Sequence, residues 1–209
     1  MNENQQQPLP PEVNENQPKQ NRNFSEMGTF VVDLIKVLLI ALVIILPVRY
    51  YVAQPFIVSG SSMEPTFYTG EYLIIDELTY HISAPQRGDV IVFKYPKDNT
   101  QYFIKRIIGL PGETVKIQEN KVIIINAQNP QGFVLDEKYL PAGDTTFPYG
   151  QDTRTLGSTE YFVLGDNRLA SSDSRFWGPV PTNDIVGKVF VRAFPFQTFK
   201  KFNHVEYSQ

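Results

Sequence analysis

The chain contains no cysteine. Thiol catalysis, disulfide staples and cysteine-ligated zinc are therefore excluded, and the redox compartment is left open. Histidine is almost as scarce, with His81 and His204 the only two. A three-histidine metal site cannot be built, and a hydrolase made from this chain has few imidazole bases to draw on. Cationic charge is not in excess: 19 Lys and Arg stand against 22 Asp and Glu, for a net charge of −3. A nucleic-acid binder ordinarily presents a strongly basic face, which this balance argues against. No internal repeat is present. What the chain does have is 209 residues, 42% hydrophobic and 20% charged. That is enough for one domain with a real core, or one domain carrying a sizeable insertion. Eleven Tyr and 15 Phe, with 16 Pro scattered among them, lean towards β structure.

Residues 1–28 hold eleven Asn or Gln, four Pro, four acidic residues and two basic ones. Large apolar residues are few and show no period. Such a stretch buries too little surface to offset the entropy of ordering, and 1–28 is expected to be a disordered tail. The composition then changes abruptly. Phe30 to Val48 is a nineteen-residue run broken only by Asp33, Lys36 and Pro47. As a helix it would span about 28 Å, close to the hydrocarbon thickness of a bilayer. Asp33 and Lys36 are three apart and can pair. Arg49, Tyr50 and Tyr51 follow as an interfacial anchor would. A membrane anchor over 29–52 is the expectation. A buried core helix and a cleaved signal peptide are the other two readings, because the part without a charged residue, Val37–Val48, is twelve residues long. The long leader and the bulky Tyr51 in Tyr51-Val52-Ala53 speak against the signal peptide. Lys19, Arg22 and Lys36 precede the centre of the run and only Arg49 follows it closely. That bias places the N-terminus in the cytoplasm and residues 50–209 across the membrane.

Beyond the anchor, apolar runs of strand length alternate with turn residues. The expected strands are Phe56–Ser59, Glu71–Glu77, Asp89–Tyr95, Tyr102–Ile108, Glu113–Gln118, Lys121–Asn126, Glu160–Leu164 and Ile185–Phe194. Glu119-Asn120 between two of them suggests a tight hairpin. No long 3.6-residue period occurs, so the fold class is mainly β, an antiparallel domain behind one N-terminal transmembrane helix. Residues 126–159 are the least regular and suit an excursion or small subdomain.

With no Cys and two unpromising histidines, a nucleophile has to be Ser, Thr, Lys or a carboxylate. Ser62 lies in Ser59-Gly60-Ser61-Ser62-Met63-Glu64-Pro65, where small neighbours would let a substrate backbone approach. Pro65 forces Glu64 out of the helical region. A plain Ser/Gly turn is the bland alternative. Lys105 lies in Tyr102-Phe103-Ile104-Lys105-Arg106-Ile107-Ile108. Alternation puts Phe103, Lys105 and Ile107 on one face and Ile104, Arg106 and Ile108 on the other, so one of the two cations should face the interior. A buried lysine loses charge and can serve as a general base; an edge-strand lysine that blocks aggregation is the alternative. Gly165-Asp166-Asn167-Arg168, followed by Ser171-Ser172-Asp173-Ser174-Arg175, is either a solvated loop or a network holding such a lysine. Arg87-Gly88-Asp89 reads as a turn with no chemistry.

In this order, and behind an apolar anchor, these segments resemble bacterial type I signal peptidase over about residues 30–195. The resemblance implies a serine endopeptidase with a Ser-Lys dyad: Ser62 as nucleophile, Lys105 as general base, and Ser171 as the hydroxyl that orients the lysine. It implies an antiparallel β catalytic domain, here 53–200, with a smaller β insertion at about 113–160 and a C-terminal tail at 201–209. It implies shallow apolar pockets for small substrate residues, matched by position to Val58, Met63, Phe103 and Ile104. It implies secretory preproteins and membrane lipid as partners, no cofactor, no metal, and a cell-membrane location with the domain on the outer face. Where some members carry a hydroxyl two residues before the nucleophile, this chain has Gly60, which leaves the second oxyanion donor open. Asp166, Arg168, Asp173, Arg175 and Arg106 suit structural salt bridges around the base. Two other functions stay in view. A soluble, self-cleaving Ser-Lys protease is opposed by the anchor, and a non-catalytic tethered β domain is opposed by the joint presence of Ser62 and Lys105.

Overall fold

The structure, a computed structural model, describes residues 22–47, 53–202 and 207. The chain divides into two units, 1–45 and 46–209. Helix α1 (Arg22–Pro47) supplies the described part of the first and ends two residues into the second. Within it Met27–Leu46 is long and apolar enough to cross a membrane, and its side chains are exposed around nearly the whole circumference. An exposed helix that is apolar on every side suits lipid rather than water. Lys36 pairs with Asp33 at 3.1 Å, as their spacing predicts. Most of the expected tail, 1–21, and the expected interfacial residues Arg49, Tyr50 and Tyr51 lie outside the described residues. Arg22–Gly28 opens the helix instead of extending the tail.

The second unit is built from antiparallel sheets. The larger runs β1 (Ala53–Ile57), β2 (Tyr72–Asp76), β11 (Ile185–Phe194), β3 (Val90–Tyr95), β4 (Asp98–Gly109), β9 (Glu160–Leu164) and β10 (Val180–Pro181), with β12 (Lys200–Lys201) beside β11. The central strands are covered on both faces, which explains their continuous apolar runs. Val90 and Val92 of β3 join Val58, Met63, Phe67, Leu73, Ile75 and Val189 in one cluster. Ile91 and Phe93, which alternate with them, join Ile107, Tyr161, Val163 and Val180 in another. β4 lies between β3 and β9, and its neighbours Lys105 and Arg106 point to opposite faces. Because both faces are covered, both cations are buried, at 4% and 3% exposure. The sequence pattern predicts only one.

The excursion forms its own four-stranded sheet, in the order β7 (Phe133–Val134), β6 (Lys121–Ile125), β5 (Thr114–Gln118), β8 (Thr153–Thr155). β5 and β6 close as the expected hairpin, with Gln118 opposite Lys121 and the turn residues Glu119 and Asn120 at φ 51° and 62°. Two positive φ values in a two-residue loop match the right-handed twist of the flanking strands. One face of this sheet (Val115, Ile117, Val122, Ile124) shares a cluster with Ile108, Phe162 and Leu164 of β4 and β9. Arg87 fastens the junction: it reaches Glu113 at 2.6 Å and the Ile108 carbonyl at 2.5 Å. All eight expected strands have a counterpart, the first displaced towards the N-terminus, from 56–59 to Ala53–Ile57. The short pieces β7, β8, β10 and β12, and the one-turn helices α2 (Thr79–Ile82) and α3 (Ser174–Trp177), add to them. Of the expected C-terminal tail, Lys201 pairs in β12 and the Tyr207 ring packs edge-on to Tyr139; 203–206 and 208–209 lie outside the described residues.

Candidate active site

Ser62 sits in the turn that follows β1. The turn is closed by the Glu64 N–H on the Ser61 carbonyl (3.1 Å) and the Phe67 N–H on the Met63 carbonyl (2.8 Å). Met63 and Phe67, at 1% and 0% exposure, pin it to the core. Met63 joins the core cluster under the turn that also holds Val58, Leu73 and Val92. The turn carries Ser62 outward, and the next side chain is thereby directed inward.

Lys105 approaches from the middle of β4. Its Nζ donates to Ser62 Oγ at 2.8 Å and to the Ile104 carbonyl at 2.9 Å, and lies 5.3 Å from the centre of the Phe103 ring. A buried structural lysine ordinarily finds a carboxylate. This one is hydrogen-bonded to a hydroxyl and a carbonyl instead. Burial pushes its amine down to about 8, against an opposing pull from the Asp173 and Asp166 carboxylates. An amine that loses its proton near neutrality, 2.8 Å from a hydroxyl, has the geometry and the basicity to take that hydroxyl's proton.

The two carboxylates are committed elsewhere. Asp166, fully buried, accepts from Arg106 Nε (2.8 Å) and Nη2 (2.5 Å) and from Thr66 Oγ1 (2.6 Å). It thus ties the strand that bears Lys105 to the turn that bears Ser62. Asp173, also fully buried, accepts from Arg175 Nε and Nη2, both at 2.8 Å, and from the Gly165 N–H at 3.1 Å. Arg106–Asp166 and Arg175–Asp173 are the structural salt bridges that charge alternation in this segment suggests. Arg168 is not paired within it. Its guanidinium reaches Glu137 Oε2 at 2.8 Å and Oε1 at 2.5 Å, and Thr146 Oγ1 at 2.5 Å, all from the excursion. Glu137 is a structural residue of the site that sequence reasoning missed. It lies 31 residues from its partner in an irregular stretch with no local signal.

Ser171 is buried, but its Oγ is not among the hydrogen-bond partners of Lys105 Nζ and has no partner among the described residues. The hydroxyl is packed over Gly165, where an added Cβ would collide with Ser171 Oγ and the Ser62 carbonyl. Only glycine fits beneath the nucleophile's turn at this point.

Beside the Ser62–Lys105 pair lies a cleft of about 540 Å³. Val58, Phe103 and Ile104 line it, together with Phe56, Leu73, Val92, Tyr102, Ala170 and Ser172. The Phe56 and Tyr102 rings meet edge to face at 5.7 Å. His81 does not line this cleft; its Nδ1 lies 3.0 Å from the carbonyl of Glu77, just before its own short helix. His204 lies outside the described residues. Among the described residues no group of His, Asp and Glu side chains forms a metal cage.

Residues 31–194 match the family described as signal peptidase, peptidase S26. The chain is similar to the probable signal peptidase I-2 of Synechocystis sp., 36% identical over 168 residues that cover 78% of this chain and 73% of that protein. It is similar to signal peptidase I of Leptolyngbya laminosa, at 37% over 169 residues, 77% of this chain and 78% of that protein. Signal peptidase I of Bacillus caldolyticus matches at 36% over 171 residues, 77% and 90% of the two chains. Among solved structures, a signal peptidase I from Enterococcus faecalis is 35% identical and aligns with a TM-score of 0.41, over 52% of this chain and 98% of that one.

Proposed function

The chain belongs to the signal peptidase family of serine peptidases, peptidase S26, and from that premise we propose that Ser62 and Lys105 are the dyad with which it removes N-terminal signal peptides from secretory preproteins. The observation that carries the assignment is the 2.8 Å contact between Lys105 Nζ and Ser62 Oγ, made by an amine with no carboxylate among its hydrogen-bond partners. Ser62 Oγ attacks the scissile carbonyl carbon as its proton passes to the neutral Nζ. The carbonyl electron pair moves to oxygen, and the Ser62 N–H stabilises that oxyanion. Collapse expels the amine of the mature chain, which takes the proton from Lys105, and leaves an ester on Ser62. A water, deprotonated by the same amine, then hydrolyses the ester and regenerates the serine.

Phe103 and the strand environment keep Nζ out of bulk water, which is what lowers its proton affinity. Ser171 is a positioning residue in this reading: its unpaired hydroxyl is available to the amine once Ser62 Oγ turns towards the substrate. The apolar walls at Val58, Phe103 and Ile104 are the surfaces against which small side chains before the bond would pack. The α1 helix tethers the enzyme to a membrane. The β unit then works on the outer face of the cell membrane, a placement supported by the lysine and arginine bias around the anchor. The sheet β5–β8 is an insertion in the catalytic domain that braces Arg168.

Ser62→Ala and Lys105→Ala, in the full chain in detergent, should each abolish preprotein cleavage while the emission of Trp177, the single tryptophan, stays unchanged. Near-normal turnover by either variant removes that residue from the dyad.

A further inference from the structure

The nucleophile's backbone is held by one residue of the opposite loop. Asn167 donates its N–H to the Ser62 carbonyl at 3.0 Å and its Nδ2 to the Ser61 carbonyl at 3.2 Å. Its amide cannot be turned round. Ala170 N–H, which can only donate, lies 3.2 Å from Oδ1, so Nδ2 must face the Ser61 carbonyl, which can only accept. Asn167 itself is half-buried, and the loop that carries it is fixed by the fully buried Asp166 before it and the buried Arg168 after it.

These two contacts define more than the place of the turn. A peptide unit is planar and trans, so its C=O and N–H point in opposite directions. Fixing the Ser61 carbonyl therefore aims the Ser62 N–H the other way. Fixing the Ser62 carbonyl sets the next peptide plane, and the rotations between the two planes are the φ and ψ of Ser62. The Ser62 N–H donates to no acceptor among the described residues. Gly60, at φ +89°, supplies no side-chain donor two residues upstream. The Ser62 N–H is thus a free backbone donor for the oxyanion, and its direction is set by the Ser61 carbonyl at its back, which the Glu64 N–H and Asn167 Nδ2 both hold.

We propose that Asn167 is a positioning residue for the oxyanion hole: its grip on the Ser61 and Ser62 carbonyls aims the free Ser62 N–H at the developing negative charge. This rests on Ser62 being the nucleophile, as proposed above. A donor aimed in advance acts on the transition state and contributes little to the ground-state complex, because the charge it stabilises exists only during reaction. Loss of the side-chain contact should therefore lower kcat and leave KM nearly unchanged.

The test uses the full chain in detergent with Asn167→Asp and Asn167→Ala. Asn167→Asp keeps an acceptor for Ala170 N–H and loses only the donor to Ser61. Asn167→Ala loses both without adding charge near Lys105. Each should lower kcat about 10–100-fold, part of the loss seen when an oxyanion donor is deleted outright, with KM within about twofold. The Asn167→Ala pH–rate profile should keep the wild-type acid midpoint, because the surroundings of Lys105 are untouched. Two ligands sharpen the result. A peptide aldehyde with the residues before the bond adds to Ser62 Oγ and places its oxygen in the hole; the matching peptide alcohol occupies the cleft without adding. The variants should weaken the aldehyde by the same factor as kcat and leave the alcohol unchanged. Parallel loss of both ligands, an equal rise in KM, or a shifted acid midpoint overturns the proposal and makes Asn167 a purely structural residue. Ser62→Ala run alongside separates the two failures. If it still cleaves, the nucleophile assignment falls; if it is inactive and the Asn167 variants show no kcat loss, only the positioning role falls.

Discussion

Replacing Lys105 by Met should remove a stability penalty of about 3 kcal/mol that the wild type carries at neutral pH and sheds in alkali. Methionine matches the length of the lysine stem and carries no charge, so it fills the channel over Phe103. The lysine amine is pushed from 10.5 to about 8 in the folded protein by burial. In the unfolded chain it titrates at the ordinary value. Below pH 8 both states hold the proton, and the folded state bears the full penalty of an ammonium at 4% exposure. Between 8 and 10.5 the unfolded state holds more protons than the folded one, so stability rises with pH. Above 10.5 neither holds the proton and the penalty is gone. At about 1.4 kcal/mol for each factor of ten, the window is worth about 3 kcal/mol. The variant also gives up the hydrogen bonds to Ser62 Oγ and the Ile104 carbonyl, a loss of about 1–3 kcal/mol that does not vary with pH. The readout is therefore the slope of the difference. Urea unfolding of both chains in detergent, followed by the emission of Trp177, which packs against Phe93 and Tyr95 at 5.9 and 5.7 Å, should be repeated from pH 7 to 10.5. Tyrosine ionisation affects both chains alike and cancels. The wild type should gain about 3 kcal/mol relative to Lys105→Met across the window, and kcat/KM of the wild type should rise through the same midpoint near 8. A difference that stays flat over that range would mean that the folded amine keeps its ordinary basicity. It could then not serve as the base at neutral pH.

Asp166→Asn should destabilise the fold by about 3–5 kcal/mol, because it leaves the Arg106 guanidinium buried at 3% exposure without its counter-charge; a melting temperature within two degrees of wild type would contradict this. Gly165→Ala should lower kcat severely, since the new methyl group meets Ser171 Oγ and the Ser62 carbonyl; unchanged single-turnover cleavage would show that the turn yields freely. Protease added to intact spheroplasts should cut the β unit, and protection until lysis would invert the proposed orientation. Removal of 1–21 should leave preprotein processing unchanged in the inserted enzyme, and a loss of processing would assign that tail a function.

Much of the fold could be read from neighbouring residues alone. The eight longer strands announce themselves by alternation or by continuous apolar runs between turn residues. Glu119-Asn120 announces its hairpin because two residues suffice to reverse a twisted pair of strands. The membrane helix is written in one mostly apolar stretch, and the Lys105 oddity, a cation inside an apolar strand, is visible without any contact. Such features depend on a period of two or four residues, which the local chain carries by itself. β7, β8, β10 and β12 do not: strands of two or three residues have no period and exist because a longer neighbour offers hydrogen-bonding partners.

The site separates in the same way. Ser62 and Lys105 could be singled out by type and setting, but their 2.8 Å contact spans 43 residues and exists only because the turn after β1 folds back over the middle of β4. Burial of both Lys105 and Arg106 required a sheet covered on its two faces. Met63 turned into the core because Ser62 faces out. Ser171 Oγ was left without a partner among the described residues, while Glu137 came to Arg168 from 31 residues away. The grip of Asn167 on Ser61 and Ser62 spans more than a hundred residues. Residue types and local periods belong to the sequence; distances between remote side chains follow from strand register and loop closure, which involve the whole domain at once.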